Sequence, residues 1–224
     1  MTATTLREVV RRPTALLLVF ALPLVFYLVR LDVPWQAIRF LAIGVGWAIA
    51  TLSLFSHVSS RHLDQRLAVV GASPSALFLG RQLALLGIGA VVAACYLGVV
   101  LLTQDEIPRM GGIVLLLVTT VLISAPLGAL VSLIIGRELE GALALLSVMA
   151  LQLLVDPEER AAGLLPLWST RELSAYAIED HATASLAPGL AHFAATLALC
   201  TAIGWAASVI RLTPVRLATP GERH

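Results

Sequence analysis

The chain has 224 residues, 58% hydrophobic and only 13% charged, with a formal net charge of +1 and a mean hydropathy of +0.91. Soluble domains carry about 25% charged residues, so a water-soluble enzyme, a disordered tail and a nucleic-acid binder are excluded and an integral membrane protein remains. All 15 basic residues are arginine; without a lysine there is neither a Walker-type phosphate loop nor a Schiff base, so any ATP that drives this chain is bound by another one.

The N-terminal tail predicts a small amphipathic helix. Thr5 and Glu8 have the spacing of a capping box. Leu6, Val9 and Val10 share one face and Arg7 and Arg11 the other, as in a helix lying along the membrane interface or a simple positive anchor. Six apolar runs follow, at about 14–29, 35–55, 82–103, 111–136, 141–155 and 186–210. A span needs about 20 apolar residues, so the fifth run is short unless its flanks extend it. The first run has no small-residue cleavage pattern and reads as an uncleaved helix. Arg39, near one end of the second, can snorkel to the interface.

Arginine placement orients the spans. The tail, the loop 57–81, the turn 137–140 and the C-terminal tail hold 10 arginines and 5 acids; the opposite side holds 5 arginines and 9 acids. Six spans with both termini in the cytoplasm, in a cell (plasma) membrane, fit that asymmetry.

Between the second and third spans, Leu63, Leu67 and Val70 recur at helical spacing, with Arg61, Asp64, Gln65 and Arg66 on the other positions. Gly71 is placed to end this helix in a left-handed conformation. Ser73 and Pro74 then restart one, as N-cap and first helical residue. An apolar ridge with a mixed-charge rim suits docking into a partner's groove; resting on lipid is the plainer alternative.

The longest outer loop, 156–188, carries an apolar stretch from Leu164 to Trp168. A second capping-box spacing follows at Ser169 and Glu172, leading into Leu173, Tyr176 and Ala177. So apolar a loop is expected to dip into the membrane, its backbone shielded by the spans.

Other residues attract attention. His192 falls in the sixth span and His57 and His62 near the inner loop, but none has an acidic partner in a span, so His192 is expected to bond between helices. Pro23 and Pro126 kink or adapt their helices. Gly44, Gly46, Gly87 and Gly89 allow close helix approach. Cys95 and Cys200 lie in apolar runs and read as packing residues. No Ser/His/Asp cluster, HExxH motif or carboxylate pair lies in the spans. The expectation is therefore a non-enzyme, with no catalytic, cofactor or metal residue of its own.

The order of these features resembles the membrane subunit of ABC-2 type ABC transporters. The likeness is carried by Arg7-Glu-Val-Val-Arg-Arg-Pro13 leading into Ala21-Leu-Pro23. It continues in Asp64-Gln-Arg-Leu67 through Gly71-Ala-Ser-Pro74 to Leu79-Gly80-Arg81. Arg137-Glu-Leu-Glu140 and Leu165-Pro-Leu-Trp168 complete it. The chain departs from the commonest form in lacking a Gly-Thr pair in the loop helix and in having Arg81 where lysine is frequent. The resemblance implies an all-α integral membrane fold with six transmembrane helices, an N-terminal interfacial helix, a cytoplasmic coupling helix and a re-entrant outer segment. All of it forms one domain over 1–224: interfacial helix 1–13, spans one to five in 14–155, outer loop 156–188, span six 189–210 and tail 211–224.

It also implies two membrane subunits, identical or related, working with two ATP-binding subunits that hold ATP and magnesium. Arg61, Leu63, Asp64, Gln65, Arg66, Leu67 and Val70 would couple to the ATPase, and Leu165, Pro166, Trp168, Glu172 and Tyr176 would gate the outer exit. The cargo would be a small lipophilic or amphipathic molecule leaving the cytoplasm. A haem-exporter-like permease of cytochrome c maturation, a non-transporting membrane scaffold and a secondary exporter acting alone are the alternatives.

Overall fold

The computed structural model describes residues 13–104, 108–155, 160–178 and 186–213. The expected capping box of Thr5 and Glu8 and the interfacial helix they begin lie outside these residues, as does the tail beyond 213. Every regular element described is helical: α1 (Pro13–Leu28), α2 (Pro34–Ser59), α3 (Arg61–Val69), α4 (Pro74–Thr103), α5 (Met110–Ile134), α6 (Glu138–Leu154), a 3₁₀ turn (Arg160–Leu164), α7 (Trp168–Ile178) and α8 (Leu186–Leu212). A helix satisfies its backbone N–H and C=O groups within one segment, which is what a hydrocarbon environment demands.

Four helices, α2, α4, α5 and α8, are long and apolar enough to cross a membrane, and the chain is an all-α membrane protein on that ground. The other two long helices are shorter. At 1.5 Å per residue, the 16 residues of α1 and the 17 of α6 reach about 24–26 Å, against a hydrocarbon core of about 30 Å. The six nevertheless alternate in direction. Tyr27, late in α1, bonds to Thr103 at the end of α4. Arg39, early in α2, donates to the carbonyl of Gln152 late in α6. Leu54, late in α2, lies against Gly141 at the start of α6. The ends of α2, α5 and α8 meet the start of α4 around one cleft.

α2 is the centre of this arrangement. Most of its length is buried, and it packs against α1, α4, α5, α6 and α7. Its seam with α5 holds the closest glycine approach among the described residues. A Cβ on Gly128 would stand 2.0 Å from the Ala50 carbonyl oxygen, so backbone touches backbone there. Small hydroxyl residues line the same seam and return their bonds to their own helices: Thr120 to Leu116, and Ser124 to Thr120. Ser53 instead crosses over, donating to the Ala125 carbonyl at 2.6 Å beside Pro126. Of the glycines expected to bring helices together, Gly44, Gly46 and Gly89 do so, whereas Gly87 has nothing within 4 Å of its added Cβ. Gly128 escaped notice because it sits one residue beyond Leu127 in a run with no repeated glycine spacing.

α7 does not project as a loose connector. Ser169, Thr170, Leu173, Ser174 and Ala177 are buried against α2, α5 and α8. Just before it, Leu167 reaches Gly46 of α2, 3.0 Å from the position of an added Cβ. Gly46 lies 12 residues beyond Pro34, about 18 Å along the helix. The second capping box is corrected: α7 starts at Trp168, so Ser169 is already inside the helix and buried rather than capping it. The helix thus begins two residues before the Thr170 start that the box requires.

Replacing Gly128 with alanine is expected to cost about 3 kcal/mol, the upper part of the overpacking range, because the Ala50 backbone cannot give way. Gly87→Ala should change stability by no more than about 0.5 kcal/mol. Unfolding in mixed micelles by increasing dodecyl sulfate measures both; equal midpoints for the two variants would refute the seam.

Candidate functional site

The segment joining α2 to α4 has the most specific local structure. Ser60 alone separates α2 from α3; its N–H bonds to Ser56 O and its carbonyl accepts the Asp64 N–H at 2.9 Å. α3 ends as the sequence predicts. Gly71 has φ +97°, the Ala72 N–H reaches Leu67 O at 2.9 Å and the Gly71 N–H reaches Ala68 O at 3.1 Å. This is the paired bonding of a Schellman cap, and its left-handed residue has to be glycine to avoid a Cβ clash. Pro74 opens α4 at its first turn, but the Ser73 hydroxyl makes no capping bond.

α3 has two unlike faces. Outward stand Leu63, Arg66, Val69 and Val70, with Leu67 half-buried; Leu63 is 52% and Val70 79% exposed. Inward stands Asp64, the one buried residue of the helix. Its two carboxylate oxygens accept from the Nη1 and Nη2 of Arg81, both at 2.8 Å. The expected mixed-charge rim is therefore corrected at one position. Asp64 is not offered to a partner; it is consumed by a buried fork-to-fork pair with α4. The acid also lies in the first turn of α3, where the helix dipole favours negative charge. Sequence pattern missed Arg81 as its partner because the two are 17 residues apart across a turn.

Behind that pair lies a cleft of about 320 Å³, walled by His57, Arg61, Asp64, Phe78, Arg81 and Arg211 among others. Gln65 also reaches it. Arg61 bonds to the Ser132 carbonyl and Arg211 to the Leu133 carbonyl at 3.2 Å. Both acceptors belong to the last turn of α5, where helix carbonyls have no partner of their own. Burial, and then the neighbouring Arg211 guanidinium, push Arg61 below the ordinary guanidinium value. On the nearby surface, Arg137 and Glu140 pair with each other at 2.7 Å, and that hydrogen bond raises the Arg137 value.

At the opposite end, the expected gate residues are brought together as packing. Trp168 meets the His192 ring edge-on, centroids 5.2 Å apart. His192 thus stacks across helices, and its Nδ1 lies 3.5 Å from Thr196 on its own helix. The Arg109 guanidinium sits 4.6 Å over the Tyr176 ring and donates to the Tyr176 carbonyl at 2.8 Å. The Glu172 Cβ adjoins Gly189. Leu165 and Trp168 line a water-sized cavity of about 20 Å³ with Arg39 and Arg171, and Pro166 lies between them, half-buried. Arg39 turns its guanidinium to the Gln152 carbonyl, near the end of α6. Among the described residues no group of three or more His, Cys, Asp or Glu could hold a metal.

No family model matches the chain, and no curated protein matches it either.

Removing one member of a buried ion pair costs about 3–5 kcal/mol, because the other charge is left uncompensated. Asp64→Asn is expected to lose that much in mixed-micelle unfolding, and Asp64→Leu with Arg81→Met to recover most of it. A double variant no more stable than Asp64→Asn would show that the pair is not what orients α3.

Proposed function

We propose that this chain is the membrane subunit of an ABC-2 type exporter, driven by separate ATP-binding subunits. The observation that carries the reading is α3: a nine-residue helix, stapled to α4 from inside and stopped by Gly71, that leaves Leu63, Val69 and Val70 outside at one end of the bundle. An apolar ridge held rigidly at the end of a helix bundle suits a groove in a partner, as an amphipathic helix enters a groove by its apolar side chains. The absence of lysine from the sequence fits a division of labour in which the phosphate loop belongs to the partner.

In this reading α1 and α6 are the first and fifth of six spans, their flanks or a locally thinner bilayer making up the length. The end bearing α3 faces the cytoplasm, and α7 with the residues before it is a re-entrant piece that closes the outer end. Two copies, or one copy and a paralogue, form the pathway for a small lipophilic or amphipathic cargo. The ATPase-facing surface is then Leu63, Arg66, Leu67 and Val70, while Arg61, Asp64 and Gln65 act behind it.

The test uses the chain co-expressed with any P-loop ATPase found encoded in an adjacent reading frame. Leu63→Asp with Val70→Asp changes two exposed positions, so the unfolding midpoint should stay unchanged. Capture of the ATPase and ATP-dependent efflux should each fall at least about tenfold, the loss expected when interface anchors are removed. Unaltered efflux, or proton-driven transport by the isolated chain in liposomes, would overturn the proposal; ATPase capture without any effect on turnover would favour a scaffold.

Topology gives an independent check. In a background without Cys95 and Cys200, a cysteine at Val69 should label with a membrane-impermeant maleimide only from the cytoplasmic side, and one at Leu164 only from outside. Labelling of both from one side would remove the six-span arrangement.

A further inference from the structure

The cleft behind α3 has more positive charge than its own residues neutralise. Three guanidiniums, Arg61, Arg81 and Arg211, line it. Among the described residues its one carboxylate is Asp64, which Arg81 holds with two bonds. Arg61 and Arg211 face backbone carbonyls of α5, whose helix end offers only about half an elementary negative charge. The two are close enough for Arg211 to disfavour the charge on Arg61. Two like charges held together, Arg61 half-buried and Arg211 exposed at the cleft mouth, form an arrangement that a bound anion relieves.

Among the described residues the donors are also unspent. A guanidinium carries five N–H groups, and each of these two arginines gives one bond to α5. Two further polar atoms of residues that line it, Nε of Arg81 and Nε2 of His57, are buried just behind the wall with no hydrogen-bond partner among the described residues. Buried polar groups are ordinarily satisfied, so each such exception calls for an acceptor, a donor or a water. Beside them the wall is apolar, with Phe78, Leu133 and Leu212. The volume of about 320 Å³ is at the lower end of ligand pockets, which begin at about 300 Å³.

We propose that this cleft binds the phosphate of an anionic amphiphile, with Arg61 and Arg211 gripping the phosphate oxygens and the Phe78–Leu212 side receiving the first carbons of the chain. The site lies where α2, α5 and α8 end, the level at which a basic pocket between helices meets lipid headgroups. It does not depend on the transporter reading, since it needs no ATPase and no cargo. The same chemistry could be met by a membrane phospholipid or by a soluble phosphate ester.

The experiment places the full chain in phosphatidylcholine nanodiscs and adds either phosphatidylglycerol to the bilayer or glycerol phosphate to the buffer. Retained adducts are counted by native mass spectrometry. Wild-type chain is expected to retain phosphatidylglycerol, weakened about fivefold by Arg211→Gln and about 25-fold by Arg61→Gln with Arg211→Gln, at roughly one arginine's worth of electrostatic attraction per step. Arg66→Gln, on the exposed face of α3, should leave binding unchanged. Binding of glycerol phosphate with the same arginine dependence would assign the site to a soluble ester; binding of phosphatidylglycerol alone would assign it to a lipid.

Ser208→Trp guards against simple misfolding: it fills the cleft from α8 without removing either α5 cap. With circular dichroism and monodispersity unchanged, it should abolish retention. The proposal is overturned if neither probe is retained above phosphatidylcholine, if Arg66→Gln weakens retention as much as Arg211→Gln, or if Ser208→Trp folds and binds fully.

Discussion

A helix that ends in or near hydrocarbon leaves its last carbonyls without partners, and water is not there to take them. In this protein arginines from other elements supply the missing donors. Arg61 and Arg211 reach the last turn of α5, Arg39 reaches Gln152 at the end of α6, and Arg109 reaches Tyr176 at the end of α7. Each bond also places a positive charge at the negative end of a helix dipole. Arginine suits this task better than lysine, because a forked, permanently charged head on a long apolar stem can bond a carbonyl while its stem stays in an apolar wall. The exclusive use of arginine in the sequence agrees with that demand.

The same constraint shapes the region around α3. Arg81 is buried and meets a carboxylate instead of a carbonyl, so the Asp64 face of α3 is forced inward and the Leu63 face outward. The exposed ridge is therefore a consequence of an ion pair on the other side of the helix. The two faces should respond differently to mutation: changes at Asp64 act on the fold, and changes at Leu63 or Val70 act on whatever meets them.

Much of this was legible in sequence, for reasons particular to each element. The long apolar runs are read directly because a span is a composition, and α8 begins at the residue expected. Gly71 was legible because a left-handed helix end has almost no other occupant. The α3 ridge was legible because Leu63, Leu67 and Val70 follow the helical period. What escaped depends on contacts between distant segments. The inward turn of Asp64 requires Arg81 to come back across a hairpin, and the closeness of α2 and α5 depends on Gly128 meeting Ala50, which no local spacing encodes. Ser169 misled because a capping-box pattern is purely local, whereas the helix starts at Trp168 with Ser169 already buried inside it. The arginine caps were invisible as such, since orphan carbonyls belong to the backbone and leave no mark in the residue string.

The joint at Ser60 has a mechanical meaning. Ser60 is the one residue between the two helices, and it bonds to both, its N–H to Ser56 O and its carbonyl to the Asp64 N–H. In the exporter reading proposed above, a partner that moved α3 would act first on α2. About 20 Å along α2 from that joint, Leu167 leans directly on Gly46, where an added methyl group would already be tight. A turn of α2 about its axis would then press on the segment leading into α7, because the side chain of Leu167 has no room to let Gly46 pass.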